Sequence, residues 1–255
     1  GYAILPNQNE EVIFELSLTG GMADRGAGVR NFLGAATTLS DMVITGNSAN
    51  IDGGGIYNSG DATIIHSTFS DNSADDDGGG IFNLNENATI SGSTISGNSA
   101  SDEGGGIFNL NGEILITGST ITDNSAADGG GIFKSYGSAT IAGTILSGNS
   151  ASSGSNELGI IFGAVNLNAH NVIGDNSQTT AQALSIGTVP GPSDLLATSD
   201  GLNIPLASIL DTVLADNGGP TLTHALVAGS PAIDARRAAA ETYDQRGAPF
   251  LRDDG

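Results

Sequence analysis

Residues 69–83 read FSDNSADDDGGGIFN, and the parts of this stretch recur along the chain in a fixed order. Each copy has an Asn-Ser-Ala triplet, then acidic residues, three glycines and an apolar pair. The glycine triplets start at residues 53, 78, 104 and 129, so the period is 25 or 26 residues. A fixed period in this range is typical of solenoid proteins, in which each repeat stacks on its neighbours.

Aligned on Asn-Ser-Ala, the copies predict short β-strands. The third and eighth residues before each Asn are apolar, and their immediate neighbours are mostly polar or Gly. Alternation with period two indicates strand rather than helix, and the apolar pair after the glycines supplies a third strand. Strands that pair with the copy one turn away must run parallel. The sequence therefore predicts an all-β fold, a right-handed single-stranded parallel β-helix with about 25 residues per coil.

The repeated Gly and Asn have a structural interpretation. Glycine permits tight corners, and stacked Asn side chains can form a ladder of amide hydrogen bonds. The repeat divides the chain into regular coils at 28–177, an N-terminal cap or first coil at 1–27, and a less regular C-terminal capping region at 178–255. Because the chain starts at Gly1 without Met, we expect it to be a product of a longer protein.

The charge and composition exclude several classes of function. Seven Lys and Arg stand against 28 Asp and Glu, a formal net charge of -21. Nucleic acid and anionic membranes require basic surfaces, so neither is expected as a partner. The chain has no Cys, which excludes disulfides and thiolate metal sites. No apolar run is long enough for a membrane helix, so direct membrane insertion of this chain is not expected.

The repeat resembles that of chlamydial polymorphic outer membrane proteins, which combines a Phe-x-x-Asn motif with a Gly-Gly-Ala-Ile-like motif. Here the corresponding residues are Phe69-Ser70-Asp71-Asn72 and Gly78-Gly79-Gly80-Ile81. The third residue of each glycine motif is Gly rather than Ala, and Ile or Leu replaces the aromatic residue in the other copies.

The last third of the chain resembles the bacterial choice-of-anchor Q domain in the order and spacing of four motifs. These are NGGPT at 217–221, HAL at 224–226, GSPAID at 229–234 and DQRG at 244–247. That family usually continues at once with Pro-Arg, whereas this chain reads APFLR at 248–252. Together the resemblances imply a secreted or surface-displayed bacterial β-helix, and neither supplies a catalytic motif.

An acidic residue precedes each glycine triplet and forms the first candidate column. Its members are Asp52, Asp77, Glu103 and Asp128. Stacked in register they would lie about 5 Å apart and repel one another. Oxygen ligands at flexible corners suit Ca²⁺, so this column is a candidate calcium site; no other cofactor is expected. The alternative is a solvated acidic row that is screened by salt.

An aromatic residue follows each glycine triplet and forms the second candidate column. Its members are Tyr57, Phe82, Phe108 and Phe133, to which Phe162 could be added. If the preceding Ile points inward, strict alternation turns these rings outward, where they would form a docking surface. Alternatively, a corner twists them inward or a flanking segment covers them. We expect a cover, with the Leu- and Ala-rich segment 178–216 as the candidate.

Threonine rows lie on the outward faces of two of the predicted strands. Thr63, Thr89 and Thr140 align on one, and Thr68, Thr94 and Thr120 on the next. Outward Thr is ordinary β-surface chemistry. The other interpretation is a flat array of the ice-binding kind, which Leu115 and Ile145 interrupt.

The sequence favours a scaffold over an enzyme. Within the regular coils Lys134 is the one basic residue apart from Arg30, and no pair of histidines has metal-ligand spacing. We expect a non-catalytic protein outside the cell or on its outer surface. It would act in adhesion or display towards surface glycans or other surface proteins, or self-assemble into a filament or layer through its open strand edges. The alternative is a carbohydrate-active β-helix enzyme, a polysaccharide lyase or hydrolase.

Overall fold

The computed structural model describes residues 2–4, 11–167 and 170–233. They form an all-parallel β-solenoid of about seven turns, with roughly 26 residues per coil and almost no helix. The predicted parallel β-helix is therefore confirmed. The coil has four strand positions rather than the three predicted, because the Ser-Ala after each Asn also pairs with the neighbouring coil as a short strand.

We number the sheets in the order in which one coil visits them. Sheet 1, which follows the glycines, comprises Tyr2–Ile4, Val29–Asn31, Ile56–Asn58, Ile81–Asn83, Ile107–Asn109, Ile132–Lys134 and Leu158–Ile160. Sheet 2 comprises Glu11–Phe14, Ala36–Ser40, Asp61–Ile65, Ala88–Ser91, Glu113–Thr117, Ser138–Ala142 and Ala164–Asn166.

The other two sheets complete the coil. Sheet 3 comprises Ser17–Thr19, Val43–Thr45, Thr68–Ser70, Thr94–Ser96, Thr120–Thr122, Ile145–Leu146, Val172–Ile173 and Leu195–Leu196. Sheet 4 comprises Met22–Arg25, Ser48–Asp52, Ser73–Ala74, Ser99–Ala100, Ser125–Ala126 and Ser150–Ala151. The described helices are an α-helix at Thr180–Ala183 and a 3-10 turn at Leu206–Ser208. Neither has the length or the apolar content that a membrane crossing requires.

The register places identical residue types on top of one another. Ile81 pairs with Ile56 on one side and Ile107 on the other, and all three are buried. The apolar columns of sheets 1, 2 and 3 meet in one continuous core. Each coil therefore buries its apolar face mainly against the coils before and after it.

The glycine corners need glycine for two separate reasons. Gly78 has a φ of 66°, in the left-handed region that favours residues without a side chain. Gly79 has an ordinary φ, but a Cβ there would lie 2.2 Å from the carbonyl oxygen of Ser99 in the next coil. The triplet is thus the corner chemistry of the stack.

The two ends of the core differ. At the C-terminal end, the backbone of Glu157 donates to the carbonyl of Ala183 (2.9 Å), and Ala183 and Leu184 belong to the core. At the N-terminal end, Ile13 and Leu18 of the first described coil are only partly buried. Residues 180–184 thus cap the C-terminal end of the core.

Residues 204–226, which we call the strap, fold back along the outer face of sheet 3. Antiparallel bridges join Leu210 to Leu226 and Ala215 to Thr223 within the strap. Its apolar side packs with Ile145 and Val172 of sheet 3 in a second, smaller core. The outward Thr row of sheet 3 is therefore buried rather than exposed.

Candidate functional site

The four aromatic residues of the predicted column form one continuous stack. Successive ring centroids lie 5.0, 4.9 and 5.6 Å apart and the planes are within 13° of parallel. Each residue is at most 8% exposed. The rings are Tyr57, Phe82, Phe108 and Phe133. They are covered, and so they form no exposed docking surface.

The expected cover for these rings lies elsewhere. The described segment 178–216 packs mainly at the C-terminal end and on sheet 3, whereas the rings pack with Leu84 and Leu110. The first glycine of each triplet also lies against the backbone of the aromatic residue. Phe162 is not part of the stack, because Gly159 takes the position in register with Phe133.

The acidic column lies beside the stack, and its carboxylates are engaged by the corners. Asp52 accepts from the Arg25 guanidinium at 2.8 Å, and that guanidinium lies 5.6 Å from the Tyr57 ring centroid. Asp77 accepts from the backbone N–H of Glu103 at 3.0 Å. Asp128 accepts from two backbone N–H groups, those of Gly129 and Ser155. Three of the four carboxylates thus meet donors of an adjacent coil, Asp52 in the preceding coil and Asp77 and Asp128 in the following one.

Burial governs the electrostatics of this column. It raises the pKa of Asp77 to about 7; the Glu103 amide partly opposes this and the Glu103 carboxylate adds to it. The pKa of Glu103 is raised by burial and then by Asp128. Among residues 11–167 and 170–233, no group of three or more acidic, His or Cys side chains is arranged to hold a metal ion. The two interpretations of the column, a calcium site and an acidic row that is screened by salt, both stay predictions.

The predicted amide ladder is present and ends on a buried carboxylate. The side chains of Asn47, Asn72, Asn98, Asn124 and Asn149 donate in sequence, each to the next at 2.9 Å. Asn149 donates to Glu157, which is fully buried and also accepts from Gln178 at 2.6 Å. Burial raises the pKa of Glu157 to about 7, and these hydrogen bonds oppose the rise.

A second ladder lies at the corner between sheets 1 and 2, where the sequence reasoning did not expect one. Asn31, Asn58, Asn83 and Asn109 donate in sequence at 2.6 to 2.7 Å. The constant position of these Asn, two residues after Val29, Ile56, Ile81 and Ile107, could have revealed it. In the next coil Lys134 replaces the amide.

The sixth and seventh coils break the repeat at this same corner, a cluster that the sequence reasoning also missed. Lys134 is fully buried, its ammonium donates to the carbonyl of Phe162, and burial lowers its pKa. Tyr136 and Phe162 stack at 5.2 Å and are 49% and 56% exposed, beside Ile161 at 49%.

The histidines do not converge. His224 belongs to the strap and faces sheet 3, where its Nε2 meets the Ser96 hydroxyl at 2.9 Å, and its Nδ1 meets the carbonyl of Asp211 at 2.8 Å. Ser96 and His224 are 5% and 6% exposed, so this contact fastens the strap and leaves no room for a substrate. His66 and His170 lie in other positions.

Comparisons with known proteins bear on the repeat. Residues 41–59, 66–84 and 92–110 match the model of the Chlamydia polymorphic membrane protein (Chlamydia_PMP) repeat, which covers about a fifth of the chain. No significant match is found among curated proteins or among solved structures. The matched family is consistent with a surface-associated protein. The chain therefore carries Chlamydia polymorphic membrane protein repeats within a parallel β-solenoid.

Proposed function

We propose that the chain is a non-catalytic shaft of a secreted or cell-surface bacterial protein, which acts in adhesion or surface display. The observation that carries the proposal is the polymorphic membrane protein repeat, built into coils in which the regularly repeated polar side chains bond to neighbouring coils. The resemblance to the choice-of-anchor Q domain supports surface attachment. Of its motifs, 217–221 and 224–226 lie in the strap, and Asp234 and 244–247 lie outside the described residues.

A shaft fits the structure better than a head-to-tail filament. Such a filament needs both ends of the solenoid to offer unpaired strands. Here residues 180–184 cover the core at the C-terminal end. Filament assembly is the alternative.

The proposal is tested with the purified chain coupled to fluorescent beads. We expect retention on bacterial or epithelial cell surfaces above that of albumin-coated beads, and no turnover in a polysaccharide screen read by reducing sugars and unsaturated products. Turnover of any polysaccharide would show that the protein is an enzyme and contradict the proposed non-catalytic role. Retention no higher than the albumin control would remove the adhesive role.

The calcium prediction has its own test. Because Asp52, Asp77 and Asp128 already accept from protein donors, we expect the melting temperature to be the same in millimolar Ca²⁺ and in EDTA. An increase of the melting temperature in Ca²⁺ would establish the acidic column as a calcium site if EDTA reverses it and the Asp77→Asn variant does not show it.

A further inference from the structure

The corner between sheets 1 and 2 changes its chemistry along the solenoid. In two consecutive coils it presents Asn85 and Asn111, whose exposed side chains are joined by a hydrogen bond of 3.0 Å. In the next two coils the positions that continue this column are Tyr136 and Phe162, as the backbone hydrogen bonds show. Along this one exposed column, two amide side chains are thus followed by two aromatic rings.

Stacking the coils does not require these rings. The buried stack of four rings already serves the fold, whereas Tyr136 and Phe162 leave about half of their surface in water. A residue that departs from a repeat without serving the core is a candidate for binding, since exposed apolar clusters mark interaction sites.

A buried cation holds the backbone of the second aromatic residue in place. The ammonium of Lys134 donates to the Phe162 carbonyl from a fully buried side chain. Burying an ammonium is unfavourable, and the preceding coils have a neutral amide at this position. Lys134 therefore fixes the backbone of Phe162 rather than contacting its ring.

The exposed area of this column and the charge of the chain determine which class of ligand can bind there. Two half-exposed rings offer about 200 Å², against about 800 Å² per partner in a stable protein complex. Pyranose rings stack on aromatic side chains through their C–H faces, and their hydroxyl groups pair with amides. The chain carries a net charge of -21, which repels anionic chains such as uronates.

We propose that Asn85, Asn111, Tyr136 and Phe162, flanked by Ile161, form a binding strip for a neutral glycan chain that runs along the solenoid axis. The inference rests on the proposed adhesive function and names its ligand class. Coils about 4.8 Å apart present one such side chain each, so an extended glycan meets several in succession.

Affinity electrophoresis of the full chain tests the strip. The probes are neutral polysaccharides (β-glucan, xyloglucan, mannan and dextran), with alginate as the acidic control. We expect at least one neutral polymer to slow the protein, and alginate not to. In a variant with both Tyr136→Ala and Phe162→Ala, the affinity should fall about tenfold or more. Phe162→Tyr should retain binding.

The matched control is Leu115→Ala, which removes an apolar side chain, 40% exposed, from the outer face of sheet 2. It should leave binding unchanged, and melting curves confirm that each variant is folded. Binding to none of the polymers, or equal loss in the control, overturns the strip. So does a dimer that the double variant dissociates, because the rings would then contact a second copy. Bead adhesion that survives the double variant overturns the strip but leaves the adhesive role standing.

Discussion

At the scale of single residues, buried polar side chains link each coil to the next. Amide ladders line the corners between sheets 3 and 4 and between sheets 1 and 2. At the corner between sheets 2 and 3, Ser67 and Ser93 accept from backbone N–H groups of the preceding coil. Spacing alone predicted the first ladder, because Asn recurs at a fixed distance from the apolar columns. The others were not predicted, since a polar residue at a strand end has the same pattern whether it is buried or solvated.

We expect Asn98→Ala to destabilise the protein by about 3 kcal/mol. Its amide accepts from the side chain and backbone N–H of Asn72 and donates to Asn124 and to the carbonyl of Phe69. Removing it leaves several buried groups without partners, each costing about 1–3 kcal/mol before the site relaxes. Urea unfolding measures the change. Asn85→Ala, which removes an exposed amide, is the control and should stay within about 0.5 kcal/mol; equal losses would contradict the ladder's role.

Glu157 makes stability depend on pH. The pKa of Glu157 is about 7 in the folded protein, above the ordinary value of 4.5 that it regains on unfolding. The pKa of Asp77 is likewise about 7, above its ordinary value of 3.8. Raised pKa values stabilise the fold fully at pH values below those ordinary values, and this contribution is lost as the pH rises through 7. We therefore expect a higher melting temperature at pH 5 than at pH 8.

Glu157→Gln isolates the contribution of this residue. The neutral side chain should make the melting temperature fall less between pH 5 and pH 8. Glu113→Gln, at an exposed position on sheet 2, is the control and should keep the wild-type slope. A Glu157→Gln slope equal to that of the wild type would assign the pH dependence to other groups.

At the scale of elements, alternation predicts which face a residue occupies but not what covers that face. It correctly predicted that the ring column opposes the Ile column, yet the rings are buried because they stack on one another and pack with Leu84 and Leu110. The expected cover, segment 178–216, was misplaced for a related reason. It lies outside the repeat, so no periodicity fixes which sheet it contacts, and its residues 204–216 belong to the strap, whose Leu222 accepts from Thr68 at 2.6 Å.

Among the described residues, His224 makes one of the few polar contacts between the strap and sheet 3, to Ser96, and it also contacts the carbonyl of Asp211 within the strap. We expect His224→Ala to destabilise the strap by about 1–2 kcal/mol, since Ser96 and the carbonyl of Asp211 lose their partner. Hydrogen exchange should speed up in residues 204–226 and stay slow in the coils. His170→Ala, at an exposed position, is the control. Unchanged exchange in the strap, or equal acceleration throughout the coils, would contradict this fastening.

At the scale of the whole molecule, the solenoid is asymmetric. About seven coils spaced about 4.8 Å apart give a rod of about 34 Å. One end is covered by residues 180–184, and the strap covers sheet 3. The net charge of -21 opposes close association of copies. These features fit the proposed shaft, whose corners, including the one with the proposed binding strip, face the surroundings.

The most direct test of a capped, self-contained shaft is the size of the purified chain in solution. Sedimentation velocity over a range of concentrations, with negative-stain micrographs of the same samples, measures it. The account predicts one species of monomer mass at every concentration and discrete short rods in the micrographs. Threads, or a sedimentation coefficient that grows with concentration, would show that the ends join and would contradict the account.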